Sequence, residues 1–437
     1  MKRFLGIFVT VAMVATMLTG CSASVSTTSE TTTTTTEAPA AEETEDAAPA
    51  DDAAEATEEV AEAPAEAVAN VKAGFIFLHD ENSTYDLNFI NGAKEACEAV
   101  GAEIVMKTNI PEGQECYEAA CELADAGCDI IFADSFGHED YMIEAAKEYP
   151  DVQFCHSTGT KAHTEGLSNY HNAFASIYEG RFLAGIAAGM KLQEMLDNGT
   201  ITEEQLKIGY VGAYTYAEVI SGYTSFFLGV RSVVPQVEME VTFTGSWYDE
   251  TAEKEGANNL IEDGCVLISQ HADSMGAPTA CELANVPNVS YNGSTAAVAP
   301  NTFIVSSRIN WAPYYEYAMN SVTNGTAIAA DWTGSIETGS VLLTDLGSAA
   351  AAGTKEAIDK AVEGFKAGTL HVFDASTFTV GGATLDSYMA DVDTDADYTP
   401  DHEAIHDGYF DESGEGFRSA PYFDIQIDGI TLLDMAF

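Results

Sequence analysis

From residue 71 onward, short apolar runs alternate with stretches whose apolar positions recur every three to four residues, the pattern of strands followed by helices. Lys72 to Leu78 (KAGFIFL) predicts a strand and Leu87 to Val100 a helix. Glu103 to Thr108 predicts the next strand, and Pro111 then opens a helix at the first position, where its missing N–H is not needed. Asp129 to Ala133 (DIIFA), Val152 to His156 and a short Leu167 to Tyr170 segment read as further strands, with a helix over about Glu139 to Glu148 between the first two. Strands this uniformly apolar belong to a parallel sheet covered by helices on both faces, an α/β architecture.

A long helix follows from about Phe174 to Leu196, and then the alternation restarts. Strands are expected at Lys207 to Gly212, Val237 to Thr244, Cys265 to Ser269 and Val289 to Tyr291. Helices are expected around Ala217 to Val233, around Thr251 to Glu262 and up to about Ala284. Two successive α/β units of similar size, with no Gly-rich phosphate loop and no GxGxxG after a strand, point away from nucleotide-cofactor enzymes. They point to a receptor of two doubly wound lobes with a cleft between them, and nothing in the pattern requires a cofactor.

The chain before residue 71 has a different character. Lys2 and Arg3 form a positive start, Phe4 to Leu18 is an apolar stretch short for a membrane span, and Leu18-Thr19-Gly20-Cys21 follows at once. This resembles a lipoprotein signal peptide over residues 1–20, with Cys21 as the side chain that takes the lipid. Residues 22–70 carry 13 acids, no Lys or Arg, no aromatic residue and a run of six Thr, so they bury too little to fold and read as an acidic linker. As a flexible coil that linker spans roughly 40 Å. Residues 71–437 are then the ligand-binding domain.

Charge narrows the partners. The chain has 17 Lys+Arg against 70 Asp+Glu, a formal −53, which excludes recognition of nucleic acid through its phosphates. Residues 391–437 alone hold 13 acids and one Arg, Arg418. Of the eight Cys, the seven other than Cys21 have no CxxC spacing, which disfavours zinc, and they lie in helical or apolar contexts as small buried hydrophobes.

Several segments together carry a resemblance: GFIFLHDENSTYDLNFINGAKEA (74–96), ADSFGHEDYMIEAAKEYPDVQF (133–154), YEGRFLAGIAAG (178–189), KIGYVGA (207–213), FLGVRSVVP (227–235), GSWYDETAEKEGANNLIEDG (245–264), SQHADS (269–274), YNG (291–293) and NWAPYY (310–315). In this order, over residues 71 to about 385, the chain resembles the basic membrane protein family, PnrA-like lipoproteins that deliver ligands to ABC importers. The resemblance implies a type I periplasmic-binding-protein fold whose two lobes are joined by three crossing strands. Lobe one would be about 71–172 plus 306–328, and lobe two about 173–305 plus 329–437. It also implies a purine nucleoside or nucleobase as ligand and a permease–ATPase complex as partner, at the outer face of the cell membrane.

Ligands of such sheets sit beyond the carboxyl ends of the strands. After the first strand, Tyr85 is at the place where the family often carries a stacking aromatic, or else covers the core as a loop residue; Asn88 reaches the cleft or is merely solvated. The chain departs here from the family's Asp-Lys-Ser-Phe-Asn and Gly-Asp-x-Gly-Trp runs, which points to a ligand different from theirs. Phe136 is a second stacking candidate. Asp140 aligns with a base-binding acid of nucleoside-binding relatives, or serves the first turn of its helix. Trp247 walls the cleft or packs the lobe, and His271 and Asp273 follow a strand, Asp273 either accepting from a ribose or exocyclic amine or capping the next helix. Asn292 offers a donor and an acceptor to a purine edge. Trp311, which opens the helix after TFIVSSRI where the chain returns to lobe one, is a further ligand-binding candidate, while Glu179 and Arg181 read as structural or hinge-linked. No GxSxG, HExxH or triad order is present, so a nucleoside hydrolase is the weakest reading, behind a transport receptor and a ligand-sensing lipoprotein.

Overall fold

The computed structural model describes residues 70–392, 399–414 and 416–437. The signal peptide, Cys21 and the linker expected before residue 70 lie outside the described residues. Among the described residues, no helix is long and apolar enough to cross a membrane.

The first lobe is built on β1 (Lys72–Ile76), β2 (Glu103–Lys107), β3 (Ile130–Ala133), β4 (Gln153–Ser157) and β5 (Tyr170–Ala175). Its helices are α1 (Thr84–Val100), α2 (Gln114–Asp125), α3 (Glu139–Glu148) and the short α4 (Ala162–Glu165). All residues of β3 and β5 are buried, as a parallel sheet covered on both faces requires. The second lobe follows α5 (Ile177–Asp197) with β6 (Lys207–Gly212), α6 (Ala217–Arg231), β7 (Glu238–Phe243), α7 (Glu250–Glu262), β8 (Ile268–His271), α8 (Gly276–Ala284), β9 (Asn288–Tyr291) and β10 (Phe303–Ile309). The chain then returns through α9 (Ala312–Asn324) to β11 (Asp331–Gly334), and again through β12 (Val341–Leu343) to α10 (Thr354–Lys366). Among the described residues of the C-terminal part are the two-residue strands β13 (Met389–Ala390), β14 (His402–Glu403), β15 (Ile405–His406) and β16 (Tyr409–Phe410), followed by β17 (Ile430–Leu432).

Strand order is β11-β5-β4-β3-β1-β2 in the first sheet and β12-β10-β9-β8-β6-β7-β17 in the second. These pairings move the lobe boundaries from their expected places. β10 stays in the second sheet through Ile309, paired with β9 as far as Ser307 and with β12 from Ser307 to Ile309, so the chain does not cross at residue 306. β11 pairs with β5, so residues 331–334 belong to lobe one rather than lobe two. The crossings therefore follow β5, β10 and β11.

Local differences have local causes. The strand expected at Leu167 to Tyr170 is instead β5, because Asn172 to Ala175 are paired with β11, and the long helix begins only at Ile177. Pro111 does not open α2: Gly113 is its N-cap, and the intervening Glu112 accepts from Ser135 Oγ at 2.5 Å and Gly137 N at 2.9 Å. α1 begins earlier than expected, at Thr84, because the Ser83 hydroxyl accepts from Asp86 N and caps it. β8 lies two residues beyond its expected end and takes in His271.

Lobe two is organised around α5 and α6, which cross at Gly185 and Gly229. A Cβ on either glycine would sit well inside contact distance of the opposite backbone, on the Phe226 carbonyl for Gly185 and the Phe182 carbonyl for Gly229. Between α5 and the second sheet, the fully buried Arg181 donates to Ser290 O at 3.2 Å, Tyr210 Oη at 3.0 Å and Ser269 Oγ at 2.8 Å. Its guanidinium also lies 5.0–5.4 Å from the ring centres of Tyr210, Phe226 and Tyr291. Glu179 accepts from Ile336 N at 2.9 Å, tying α5 to the last crossing. All seven cysteines from Cys97 to Cys281 are free, six of them buried.

Candidate functional site: the cleft between the lobes

At the end of β1 the chain turns sharply, and α1 starts with its capped first turn against that turn. Asp86, fully buried there, accepts from His79 N at 2.7 Å, and its other oxygen lies 3.3 Å from His79 Nδ1. Burial works against its charge, but the hydrogen bonds from His79 and Ser83 outweigh that and hold its carboxyl below the usual range. At the end of β3, Asp134 accepts from Leu78 N at 3.1 Å while its second oxygen is buried without a partner. Burial, reinforced by the Asp86 charge, pushes this carboxyl well up. Tyr85 leans across and donates its hydroxyl to Asp134 O at 2.7 Å.

Lobe two answers with the turns after β6, β7, β8 and β9. Glu218 stands in the first turn of α6. Trp247 follows β7, its carbonyl accepting from Asp273 N at 3.0 Å, and Asp249 caps α7 by accepting from Thr251 and Ala252 N. His271 ends β8, with Nε2 3.4 Å from Glu218 Oε1 and its ring centre 4.1 Å from that of Tyr291. Burial pushes its imidazole down, towards the neutral form. The Asp273 carboxyl is buried with Asn292 Nδ2 at 3.4 Å; desolvation, then the charges of Glu253, Asp86 and Glu218, push it well up.

Together these groups surround a narrow cleft, about 370 Å³ when the space open to solvent is included, lined by Leu78, His79, Tyr85, Asp86, Ser135, Phe136 and Thr158 of lobe one and Glu218, Trp247, His271, Asp273 and Tyr291 of lobe two. None of these lining residues is Lys or Arg. The cleft opens outward into a wider space, about 1470 Å³ and continuous with solvent, where Phe136, Thr158, Glu218 and Trp247 are joined by Thr160, Thr215 and Tyr216, and by Arg418, Ala420, Pro421 and Asp424 of the C-terminal segment. The lobes touch around its rim. Thr84 N and Oγ1 both donate to Asp273 O at 3.2 Å, and the ring pairs His79–Tyr248 and Phe136–Tyr216 stand 5.5 and 5.8 Å apart.

Five residues singled out from the sequence line the inner cleft: Tyr85, Phe136, Trp247, His271 and Asp273. Asn88 and Asn292 do not; they clasp the lobes to one another, Asn88 Nδ2 donating to Asn292 O at 2.7 Å. Asn292 makes this contact from a left-handed backbone conformation, φ 63°, which Asn tolerates better than most residues. Asp140 is not in the cleft: of the two first-turn acids of α3, Glu139 is buried and Asp140 faces outward, 71% exposed and paired with Lys161. Trp311 is also displaced from its expected role. At 1% exposure it caps α9 inside the lobe-one core, stacked 4.3 Å from Phe89 on α1.

His79, Asp86, Thr158, Glu218 and Tyr291 also line the cleft, beyond the residues expected from the sequence. Glu218 had a visible signal, its place in the first turn of the helix after β6, in the same strand-to-helix position as the residues that were chosen. Thr158 had none, since its left-handed φ of 72° is visible only in three dimensions.

Residues 77–365 match the family described as ABC transporter substrate-binding protein PnrA-like, or Bmp. The chain belongs to this family. Among curated relatives, a purine-binding protein of Brucella abortus is 32% identical over 267 residues, 60% of this chain and 71% of that protein. A putative ABC transporter glucose-binding protein of Haloferax volcanii is also 32% identical, over 59% of this chain and 62% of its own length, less than two thirds of it. Solved structures of ABC solute-binding proteins share the fold: one from Conexibacter woesei with TM-score 0.57 and 19% identity, covering 69% of this chain and 98% of that one. One from Aeropyrum pernix has TM-score 0.58 and 17% identity, covering 69% and 93%. The PnrA-like chain is thus an ABC-transporter substrate-binding protein with the periplasmic-binding-protein fold.

Proposed function

We propose that this protein is a lipid-anchored, extracytoplasmic receptor that captures a purine nucleoside or nucleobase between its lobes and delivers it to the permease and ATPase of an importer. The observation that carries this reading is the composition of the cleft wall: aromatic faces from both lobes, Tyr85 and Phe136 against Trp247, around carboxyl groups and no Lys or Arg. Aromatic faces suit a flat heterocycle, each stacked base gaining roughly 1–3 kcal/mol. Buried carboxyl groups suit its exocyclic amine and sugar hydroxyls, which donate, and a wall without cations disfavours a phosphorylated ligand. The purine-binding relative of Brucella abortus supports the same class. A hexose is the second reading, since hydroxyl donors also suit these carboxyls and the haloarchaeal relative carries a glucose-binding name.

Mass spectrometry of the small molecule released from the denatured purified protein tests the ligand. A purine or its nucleoside is expected, and a sugar would overturn the first reading in favour of the second. Release of free base from a nucleoside by the pure protein would instead make it a hydrolase. The anchor is tested separately: Cys21→Ser should release the protein into the medium or block its processing. A variant that is processed and stays fully membrane-bound would refute lipidation at Cys21.

A further inference from the structure

The family match ends at residue 365, and the chain continues to residue 437. This continuation does not stay with one lobe. Asp331, the first residue of β11 at the edge of the lobe-one sheet, has a side chain only 4% exposed. Its Oδ1 accepts from Ser419 N at 2.6 Å and from Ser419 Oγ at 2.8 Å, and its Oδ2 lies 2.6 Å from Nδ1 of His163 on α4. Four residues later the same segment is fixed to lobe two. Phe423 N donates to Glu412 Oε1 at 2.6 Å, and Glu412 Oε2 accepts from Ser221 Oγ of α6 at 2.5 Å. The Phe423 ring stacks on Phe373 with centres 4.1 Å apart. Between the two anchors, Ala420 and Pro421 form a wall of the outer cleft beside Thr158 and Thr160 of lobe one.

We propose that Arg418 to Asp424 form a strap that couples the two lobes, with Asp331 as the positioning residue that latches it to lobe one. The three chain crossings permit the lobes to rotate. The latch adds a tie outside those crossings, made of two hydrogen bonds to a carboxylate, stronger than bonds between neutral groups. Because the tie is made by protein groups alone, it holds the cleft closed with or without ligand. Ligand entry and ligand exit both wait for it, so it sets the exchange rate rather than the affinity.

The test uses the full chain and the variants Ser419→Ala, which removes the hydroxyl donor and leaves the backbone N–H, Asp331→Ala, which removes both acceptors, and Asp331→Asn, which keeps one. Association and dissociation of tritiated adenosine are timed, and small-angle scattering is recorded on the ligand-free proteins. Both rate constants should rise together, about fivefold or more in Asp331→Ala and less in the other two, while Kd shifts by less than about threefold. The ligand-free Asp331→Ala particle should have a larger radius of gyration than the unaltered one. Unchanged rates with a lowered melting temperature would make the contact merely structural and overturn the proposal. A rise in dissociation alone would make the strap a ligand contact, which also overturns it. The kinetic arm rests on the purine reading; should none of adenosine, guanosine, inosine and adenine bind the unaltered protein, that reading fails, and the scattering arm decides the strap by itself, an unchanged radius overturning it. If Asp331→Ala does not fold, Ser419→Ala carries both measurements.

Discussion

Asp273 is buried in a cleft that also holds the acids Asp86 and Glu218, and its main-chain carbonyl is already used by Thr84. With the ligand placed as proposed, a carboxyl in this position would contribute through what it exchanges with that ligand, whereas Trp247 and Phe136 would contribute area. Trp247→Ala or Phe136→Ala should therefore weaken adenosine, guanosine, inosine and adenine alike, by roughly 1–3 kcal/mol. Asp273→Ala should change the order among them, by about 1.5–3 kcal/mol for ligands that hydrogen-bond with it and little for the others. Calorimetric titration of the four ligands separates the two patterns, and a uniform loss at Asp273 would contradict the assignment. Trp311→Ala should behave differently again, removing about 3–5 kcal/mol of stability from the lobe-one core while leaving ligand preference intact, as denaturant melts and titration of the refolded protein would show. The difference between Trp247 and Trp311 was not legible in sequence, where each follows a strand. At Trp247 the chain stays at the carboxyl edge of its sheet, but after β10 it crosses to lobe one, and Trp311 is carried into the core with α9. Asn88 and Asn292 were legible as residues after strand ends, but that they bond to one another across the lobes instead of lining the cleft follows only from how the lobes meet.

At the scale of elements, parallel sheets explain why so much was readable. Strands covered on both faces are largely apolar runs, and β1, β3 and β6 were found within a residue or two for that reason. β5 was misplaced because YHNAFA mixes polar residues into a fully buried strand: His171 and Asn172 are satisfied by partners distant in sequence or by neighbouring strands, Ala329 O and Gln153 for the histidine and Ala162 N for the asparagine. β11 and β17 escaped because each is short and has meaning only beside β5 or β7. The glycines in LAGIAAG are legible once the α5–α6 crossing is known. Gly185→Ala should force those helices apart and lower stability by about 1–3 kcal/mol in chemical denaturation, the usual cost of an overpacked core. A variant as stable as the parent would mean that the crossing relaxes freely.

For the whole molecule, buried acids dictate how stability responds to pH. Burial raises Glu412 from 4.5 to about 8, and Glu179 and Glu253 from 4.5 to about 7. A carboxyl raised in this way keeps its proton in the folded chain after the unfolded chain has lost it. Its stabilising effect is complete below pH 4.5 and disappears as pH climbs through the folded value. Buried His138 and His171, lowered from 6.5 to about 4, act in the opposite sense, but only below pH 6.5. The melting temperature should accordingly fall between pH 6.5 and 8. Glu412 alone accounts for roughly 1–2 kcal/mol of that loss, and Glu412→Gln should flatten the decline in a calorimetric pH series. An unchanged slope would mean that Glu412 is ionised in the folded protein.

The chain's three tryptophans are divided unevenly: Trp247 lines the cleft, while Trp311 stacks on Phe89 in lobe one and Trp332 stands 5.1 Å from Tyr314 on the far edge of the same lobe. The molecule thus carries its own optical gauge. With the ligand placed as proposed, Trp247 is the indole that exchanges water for it, so a shift of ultraviolet emission on filling the cleft is expected from that ring, against the background of the buried Trp311, and occupancy can be read without a label.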